Sequence, residues 1–178
     1  AVLLARTGCK VVVTEHSNHV KLLPYKRFSS LVRLLMSFTY RRAHRIVAVS
    51  KCVRNDLAVD FKIGPEPFRV IYNPLEWDTI ETLSAAPLAH PFFENGRERF
   101  VVVAVGRLTR AKNYDMLIRA VASARHKIPA SLLLVGHGEL EEDLKQTVRE
   151  LRMDAHVDFV GFQENPYQWM KRSDLFVM

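Results

Sequence analysis

The sequence predicts an α/β fold built from two parallel sheets. Short apolar runs that suit buried strands alternate with amphipathic helical patterns along most of the chain. Strand–helix–strand alternation at this pace implies parallel strands joined by right-handed crossovers. A stretch rich in proline and turn residues interrupts the alternation at residues 81–98. We therefore expect one domain over residues 1–80, a linker over 81–98 and a second domain over 99–178.

The composition favours a cytoplasmic protein with anionic partners. Among the 178 residues, 26 Lys and Arg outnumber 19 Asp and Glu, which gives a net charge of +7. That charge suits phosphorylated small molecules, nucleic acid or an acidic membrane surface. The two cysteines, Cys9 and Cys52, lack metal-binding spacing, which fits a reducing compartment. No apolar run approaches the roughly 20 residues of a transmembrane helix. Because the chain begins within a helical pattern and ends within a strand pattern, we expect a fragment.

The first half of the chain offers one candidate site residue, His16. The polar residues EHSN, at positions 15–18, directly follow a predicted strand over Val11–Thr14. Open α/β sheets bind ligands at the carboxyl ends of their strands. The alternative is a solvated loop in which a Ser or Asn caps a helix. The other elements predicted here are a helix tail over residues 1–9, strands over Arg45–Val49 and Phe68–Tyr72, and a helix over Lys51–Phe61 capped by Ser50.

A basic amphipathic helix is predicted over Arg27–Ala43. Seven Lys and Arg residues lie in the surrounding region, residues 21–45. An amphipathic helix with a basic face can lie on an anionic membrane surface. The alternative is an ordinary core helix with a solvated face. The apolar stripe of the helix consists of Phe28, Val32, Leu35 and Phe38, widened by Leu31 and Leu34.

The second half opens with a predicted phosphate-binding turn. Phe100–Val105 is an unbroken apolar run, as in strands that are buried on both faces. Gly106 follows, and the turn then carries Arg107, Arg110 and Lys112 before a helix over 113–124. Glycine lets the backbone approach a ligand, and unpaired N–H groups and the helix dipole favour an anion at a helix start. The alternative is a helix-entry turn that carries surface cations. The turn matches neither the Walker A loop nor the GxGxxG dinucleotide motif.

Two further glycine-bearing loops follow predicted strands. Gly136 and Gly138 follow a strand over Ser131–Val135, and Gly161 and Phe162 follow a strand over Val157–Val160. The alternative for each loop is a tight turn with no ligand. Since all three loops lie at neighbouring strand ends, we expect them to frame one ligand. The remaining predicted elements are helices over 139–153 and 165–172 and a strand over 174–178.

Taken together, the motifs resemble a retaining glycosyltransferase of family 4, which has the GT-B fold. The resemblance covers essentially the whole chain and rests on the order and spacing of VVVTEH, RIVAVSKCVRNDL, VIYNP, GRLTRAKN, VGHG and VDFVGF. It implies two Rossmann-like domains, both incomplete here, with a nucleotide-diphosphate sugar bound in the cleft between them. The donor would be UDP- or GDP-linked. The acceptor would be a glycan or a lipid-linked glycan, as in polysaccharide or lipopolysaccharide assembly. The location would be the cytoplasm, at the inner membrane face.

The resemblance also assigns roles to individual residues. Arg107 and Lys112 match the pair that holds the donor diphosphate and offsets charge on the leaving phosphate. His16 matches a histidine that contacts the transferred sugar. These three are the predicted catalytic residues, and no metal or other cofactor is expected. The predicted nucleotide-binding residues are Gly106, Arg107, Lys112, Gly136, Gly138, Val160, Gly161 and Phe162.

Two departures from the family pattern limit what this chain can do. The glycine-rich loop near the family's N-terminus is absent, and so is the E-x7-E motif expected just beyond Met178. Glu142 and Glu150 have that spacing, but they lie one strand too early, inside a predicted helix. We therefore expect the chain alone to be inactive.

Two other functions stay open at this point. One is a non-enzymatic basic module that binds an anionic membrane surface, and the other is a nucleotide-sugar epimerase of the GT-B fold. A nucleic-acid partner is not expected because no aromatic platform is interleaved with the cations.

Overall fold

The computed structural model describes residues 8–17, 29–94 and 99–178. The chain divides into two compact units, Ala1–Leu75 and Glu76–Met178. The helix predicted over residues 1–9 lies mostly outside the described residues. Each unit has its own parallel sheet, so the α/β class with two parallel sheets is confirmed.

The described residues of the first unit form three parallel strands in the order β1-β2-β3 and two helices. The N-cap predicted at Ser50 is confirmed, since its side chain accepts a 3.1 Å hydrogen bond from Val53 N. Val12 is exposed, so β1 is not the buried strand that its apolar run suggests. The strands are β1 (Val12–Glu15), β2 (Arg45–Ala48) and β3 (Phe68–Val70), and the helices are α1 (Ser29–Arg42) and α2 (Lys51–Phe61).

The sheet-facing side of α1 differs from the predicted stripe. Val32, Met36 and Tyr40 pack into the core of the unit, where Tyr40 is only 3% exposed. Of the predicted stripe, Val32 thus faces the core and Phe28 lies outside the described residues. The other four residues lie on the solvent side, because α1 carries apolar residues on two faces. Periodicity alone does not say which face meets the sheet. The exposed residues, hereafter the α1 outer stripe, are Leu31, Leu34, Leu35 and Phe38.

In the second unit, the described residues form four parallel strands in the order β6-β5-β4-β7. The strands and helices predicted over residues 99–178 are confirmed, with ends shifted by at most three residues. The strands are β4 (Phe100–Val105), β5 (Ala130–Val135), β6 (Val157–Gly161) and β7 (Leu175–Val177). The helices are α3 (Trp77–Ser84), α4 (Tyr114–Ala124), α5 (Glu141–Glu150) and α6 (Tyr167–Arg172).

Both faces of this second sheet are covered by helices. Successive residues of a strand point to opposite faces, so each strand contributes side chains to both. Val102 and Leu134 pack with α4 and α5 on one face. Val103 and Leu133 pack with Trp169 of α6 on the other face. The strands β4 and β5 are therefore buried on both sides, as their unbroken apolar runs predict.

The predicted linker, residues 81–98, contains regular structure that the sequence reading missed. Helix α3 ends inside it and packs against α6, and a short 3-10 turn covers Pro91–Phe93. Asn165 Nδ2 donates a 2.8 Å hydrogen bond to Leu83 O, and His90 Nε2 lies 2.8 Å from Asp158 Oδ2. The sequence did not predict these contacts, because the stretch is rich in proline and turn residues and the partner residues are far away in the sequence. A linker role for this stretch in the complete protein stays a prediction.

Candidate functional site

Backbone hydrogen bonds join the three glycine-bearing loops at the carboxyl ends of β4, β5 and β6. Gly106 N donates to Val135 O at 2.9 Å, and Leu108 N donates to His137 O at 3.0 Å. Gly136 N donates to Gly161 O at 2.8 Å. The three loops therefore lie side by side, as the strand order requires.

Glycine is required at these positions for two reasons. Gly106, Gly136 and Gly161 have φ values of 152°, 139° and 77°, a region that side chains disfavour. A β-carbon at position 136 would also overlap the carbonyl oxygen of Gly106 and lie 2.9 Å from its carbonyl carbon. The loops can approach each other this closely only without side chains.

A pocket of about 460 Å³ opens where the loops meet. Its volume lies in the range of small-molecule sites. The walls are largely apolar, and Phe162 is 68% exposed at the rim, where its ring can stack on a flat ligand. The lining residues are Val105, Gly106, Arg107, Val135, Gly136, His137, Phe162, Gln163 and Pro166.

Two exposed cations, Arg107 and Lys112, belong to the β4 loop. Arg107 lines the pocket. A β-carbon at Gly106 would lie 3.4 Å from Lys112 Cε and 4.0 Å from Lys112 Nζ, so the ammonium group lies over the Gly106 turn. Neither cation forms an ion pair with any residue that the structure describes. Both charges are thus available to an anion at the pocket mouth.

Lys112 lies just before α4 rather than in its first turn. A 3-10 turn covers Arg110–Lys112, and Asn113 then adopts a left-handed conformation with φ of 51°. Helix α4 begins at Tyr114, whose hydroxyl would lie 2.9 Å from a β-carbon at Gly106. Burial raises the pKa of this tyrosine, so its hydroxyl stays protonated. The turn thus brings a cation and a hydroxyl to the Gly106 backbone.

His137 is a pocket residue that the sequence reading did not select. Its Nδ1 lies 3.2 Å from Glu141 Oε2, and Lys145 Nζ lies 2.9 Å from Glu141 Oε1. Hydrogen bonds from Lys145 and then His137 lower the pKa of Glu141, which keeps this carboxylate ionised. The available signal was the position of His137 between the two selected glycines of VGHG. Gln163 and Pro166 carried no comparable signal.

The other predicted residues occupy different places. Gly138 packs against the Leu108 backbone, and Gly161 packs against the His137 ring. Val160 is partly buried in the core beneath the loops. His16 is exposed directly after β1 and belongs to the first unit. In the described ranges, no group of three or more His, Cys, Asp and Glu residues could hold a metal.

Parallel α/β units with glycine loops gathered at strand ends are typical of proteins that bind nucleotides. The chain belongs to the family of glycosyl transferases group 1, whose family model matches residues 89–178. A second model, Glycosyltransferase Family 4, matches residues 1–78. The resemblance inferred from the motifs is therefore confirmed over both halves.

Curated relatives support the same family. The N-acetylgalactosamine-N,N'-diacetylbacillosaminyl-diphospho-undecaprenol 4-alpha-N-acetylgalactosaminyltransferase of Campylobacter jejuni is 30% identical over 94% of this chain and 44% of its own length. The lipopolysaccharide core biosynthesis glycosyltransferase LpsD of Rhizobium meliloti is 36% identical over 53% of this chain and 26% of its own length. The chain thus spans less than half the length of these relatives.

Solved structures share the fold. HepE from Anabaena, crystallised with UDP, aligns with a TM-score of 0.72 at 21% identity, over 94% of this chain and 46% of HepE. A glycosyltransferase from Rickettsia africae aligns with a TM-score of 0.66 at 17% identity, over 97% of this chain and 46% of that protein. At this identity both structures show the fold alone.

Proposed function

We propose that the complete protein transfers a sugar from a nucleotide-diphosphate sugar to a glycan or lipid-linked acceptor. The observation that carries the proposal is the pocket in the second unit, where glycine loops meet beside Arg107 and Lys112. Family membership gives the same direction. The exposed ring of Phe162 suits a nucleobase, and the two cations suit a diphosphate.

The roles of the two cations follow from their chemistry. Arg107 offers a planar fork of donors to phosphate oxygens, whereas Lys112 acts as a point charge. As the glycosidic bond breaks, negative charge grows on the leaving diphosphate. Fixed cations beside it stabilise that charge more than they stabilise the ground state. His16 is assigned to the transferred sugar, as the family resemblance implies.

The donor proposal is tested by calorimetry of the complete protein with UDP, GDP and ADP. We expect Arg107→Ala and Lys112→Ala each to weaken binding of the preferred nucleotide by roughly tenfold or more, since charged hydrogen bonds contribute roughly 1.5–3 kcal/mol. Lys127→Ala is the matched control, because Lys127 is an exposed cation outside the pocket. Unchanged affinity in both pocket variants would sink the diphosphate assignment.

We further propose that transfer retains the anomeric configuration. In a retaining transfer of the kind the resemblance implies, the acceptor attacks on the face from which the diphosphate departs. The leaving phosphate then takes the acceptor proton. NMR of the first-formed product measures the anomeric coupling constant, and a configuration opposite to that of the donor contradicts the proposal.

We propose a peripheral membrane contact for the first unit, at the cytoplasmic face, which suits a lipid-linked acceptor. The α1 outer stripe exposes four apolar side chains, and Leu34 is 67% exposed. The Arg42 guanidinium lies 4.2 Å from the centroid of the Phe38 ring, so positive charge borders the stripe. Apolar side chains beside arginines favour an anionic lipid surface. No helix in the described part of the chain is long and apolar enough to span a bilayer.

Other basic residues of α1 bind backbone carbonyls of α2. The proposed membrane contact is therefore restricted to the α1 outer stripe. Arg33 Nη2 donates to Asp60 O at 3.0 Å, and Arg41 Nη2 donates to Phe61 O at 3.2 Å. Both carbonyls lie at the end of α2, where cations stabilise the helix. These two arginines therefore hold α1 to α2.

Vesicle co-sedimentation of the complete protein tests the contact. Binding to vesicles with anionic lipid is expected to fall several-fold in Leu34→Glu. Val59→Glu is the matched control, because Val59 is an equally exposed apolar residue on α2. Equal binding by both variants and the parent would contradict a docking role for the stripe.

A further inference from the structure

The residue before His16 is held by a buried tyrosine from α1. The Tyr40 hydroxyl donates a 2.6 Å hydrogen bond to Glu15 Oε1. Glu15 is the last residue of β1, and His16 follows it directly. A short hydrogen bond from a neutral hydroxyl to a carboxylate is among the stronger side-chain contacts. The Glu15 side chain is therefore held by a residue of the unit's core.

Tyr40 is itself fixed in place. Its ring meets Phe61 edge to face, with centroids 4.8 Å apart and planes at 68°. Both rings are 3% exposed. Burial, followed by the contact with Glu15, raises the pKa of the Tyr40 hydroxyl well above its ordinary value. The hydroxyl therefore remains a donor across the physiological range.

The backbone of Glu15 is fixed as well. Val49 N donates to Glu15 O at 3.2 Å, and Glu15 pairs with Ala48 of β2 in the parallel ladder. Because Glu15 is held by both its backbone and its side chain, the direction in which the chain continues after it is restricted. The next residue is the exposed His16.

We propose that Tyr40 and Glu15 are positioning residues, which set where the chain leaves β1 and so fix His16 for its contact with the transferred sugar. This inference rests on the proposed function of His16. Neither Tyr40 nor Glu15 needs to touch the substrate. Preorganisation of this kind matters because a displacement of about 1 Å at a reacting centre can cost as much as 100-fold in rate.

The direct test is Tyr40→Phe in the complete protein, which keeps the ring and its contact with Phe61 but removes the hydroxyl. The measured rate is that of nucleotide-sugar hydrolysis in the absence of acceptor. The substrate carries the nucleotide that binds most tightly in the calorimetry. We expect kcat to fall about tenfold with KM unchanged, as for an interaction that acts on the transition state. Glu15→Gln keeps an acceptor oxygen, so a smaller loss is expected. If kcat is unchanged in both variants while His16→Ala is impaired, the positioning inference is wrong and the proposed role of His16 still holds.

A stability control separates positioning from simple loosening of the unit. Leu57 is buried in the same core, and Leu57→Val is expected to lower the melting temperature at least as much as Tyr40→Phe does, without lowering kcat. If Leu57→Val lowers kcat equally, Tyr40 acts through stability and the inference is wrong.

A spectroscopic readout keeps the inference independent of activity. In protein labelled at histidine Cε1, the His16 resonance is assigned from His16→Gln. Tyr40→Phe is expected to shift that resonance and to leave those of His90 and His156, in the second unit, in place. An unmoved His16 resonance would refute the positioning role. If His16→Ala leaves hydrolysis intact, the proposed role of His16 fails, and the resonance still decides whether Tyr40 orders it.

Discussion

Gly138 lies against the backbone of Leu108, so closely that a β-carbon at position 138 would come within 2.6 Å of the Leu108 carbonyl carbon. Both polar groups of that backbone are occupied. Leu108 N donates to His137 O at 3.0 Å, and Leu140 N donates to Leu108 O at 3.1 Å. The Leu108 side chain is buried. Gly138 therefore allows the β4 and β5 loops to pack in close contact, although it does not line the pocket.

The first prediction is that Gly138→Ala loosens both loops. Because the β-carbon would meet backbone rather than a flexible side chain, we expect a loss of about 1–3 kcal/mol in the free energy of unfolding. Nucleotide affinity should fall with it. Urea unfolding and calorimetry measure the two effects. Gly64→Ala is the control, because a β-carbon at position 64 would meet nothing within 4 Å and Gly64 has no positive φ. Equal stability of the two variants would contradict the close approach.

A second prediction concerns Asp115, which joins α4 to α5. Arg119 Nε donates to Asp115 Oδ2 at 2.9 Å, and Thr147 Oγ1 donates to Asp115 Oδ1 at 2.9 Å. These hydrogen bonds, that of Arg119 first, lower the pKa of Asp115 in the folded state. A lowered folded pKa means that the carboxylate adds stability above its unfolded pKa of about 4 and loses it as the pH falls through the folded value.

We therefore expect Asp115→Asn to be less stable than the parent at pH 6 and to approach the parent at pH 3. Urea unfolding at both pH values measures the difference. Asp154→Asn serves as the control, since Asp154 is an exposed carboxylate with no side-chain hydrogen bond among the described residues. A difference that does not shrink at pH 3 would show that the carboxylate charge is not responsible.

The sequence predicted the elements better than it predicted their faces. Phe100–Val105 was identified as a doubly buried strand because an unbroken apolar run leaves no polar side to expose. Helix α1 has no such constraint. Its periodicity fits two apolar faces, and only the packing of Tyr40 on Phe61 decides which of them meets the sheet.

The functional residues, like the elements, could be predicted from the sequence only in part. Gly106 and Gly136, which line the pocket, could be selected because each directly follows a buried strand, where open α/β sheets bind ligands. The contact between Tyr40 and Glu15 could not, since it joins residues 25 positions apart whose types are ordinary in a helix and a strand end. Contacts of this kind depend on tertiary packing, which a single sequence does not encode in any local pattern.

A third prediction tests the core beneath the pocket. Leu134 is fully buried near the carboxyl end of β5, between strands β4 and β6. Leu134→Ala removes apolar contacts and leaves a cavity in a rigid sheet, so we expect a loss of about 2–5 kcal/mol in the free energy of unfolding. Met116→Ala, on the exposed side of α4, should cost less than about 0.5 kcal/mol. Similar losses in both variants would mean that this sheet is not the core of the unit.

The fourth prediction is that Glu142 and Glu150 take no part in donor binding, although their spacing matches E-x7-E. Both lie on α5, and neither is among the residues that line the pocket. Glu142 is 80% exposed and pairs with Lys145 Nζ at 3.0 Å, and Glu150 Oε1 accepts a hydrogen bond from Gln146 at 3.0 Å.

Replacing either glutamate by glutamine removes charge from a solvated helix face, where screening makes such pairs weak. We therefore expect the double variant Glu142→Gln, Glu150→Gln to bind the preferred nucleotide within about twofold of the parent and to unfold within about 0.5 kcal/mol of it. Calorimetry and urea unfolding measure both. Arg107→Ala, measured beside it, sets the size of a true loss. A comparable drop in the double variant would place a glutamate in the site after all.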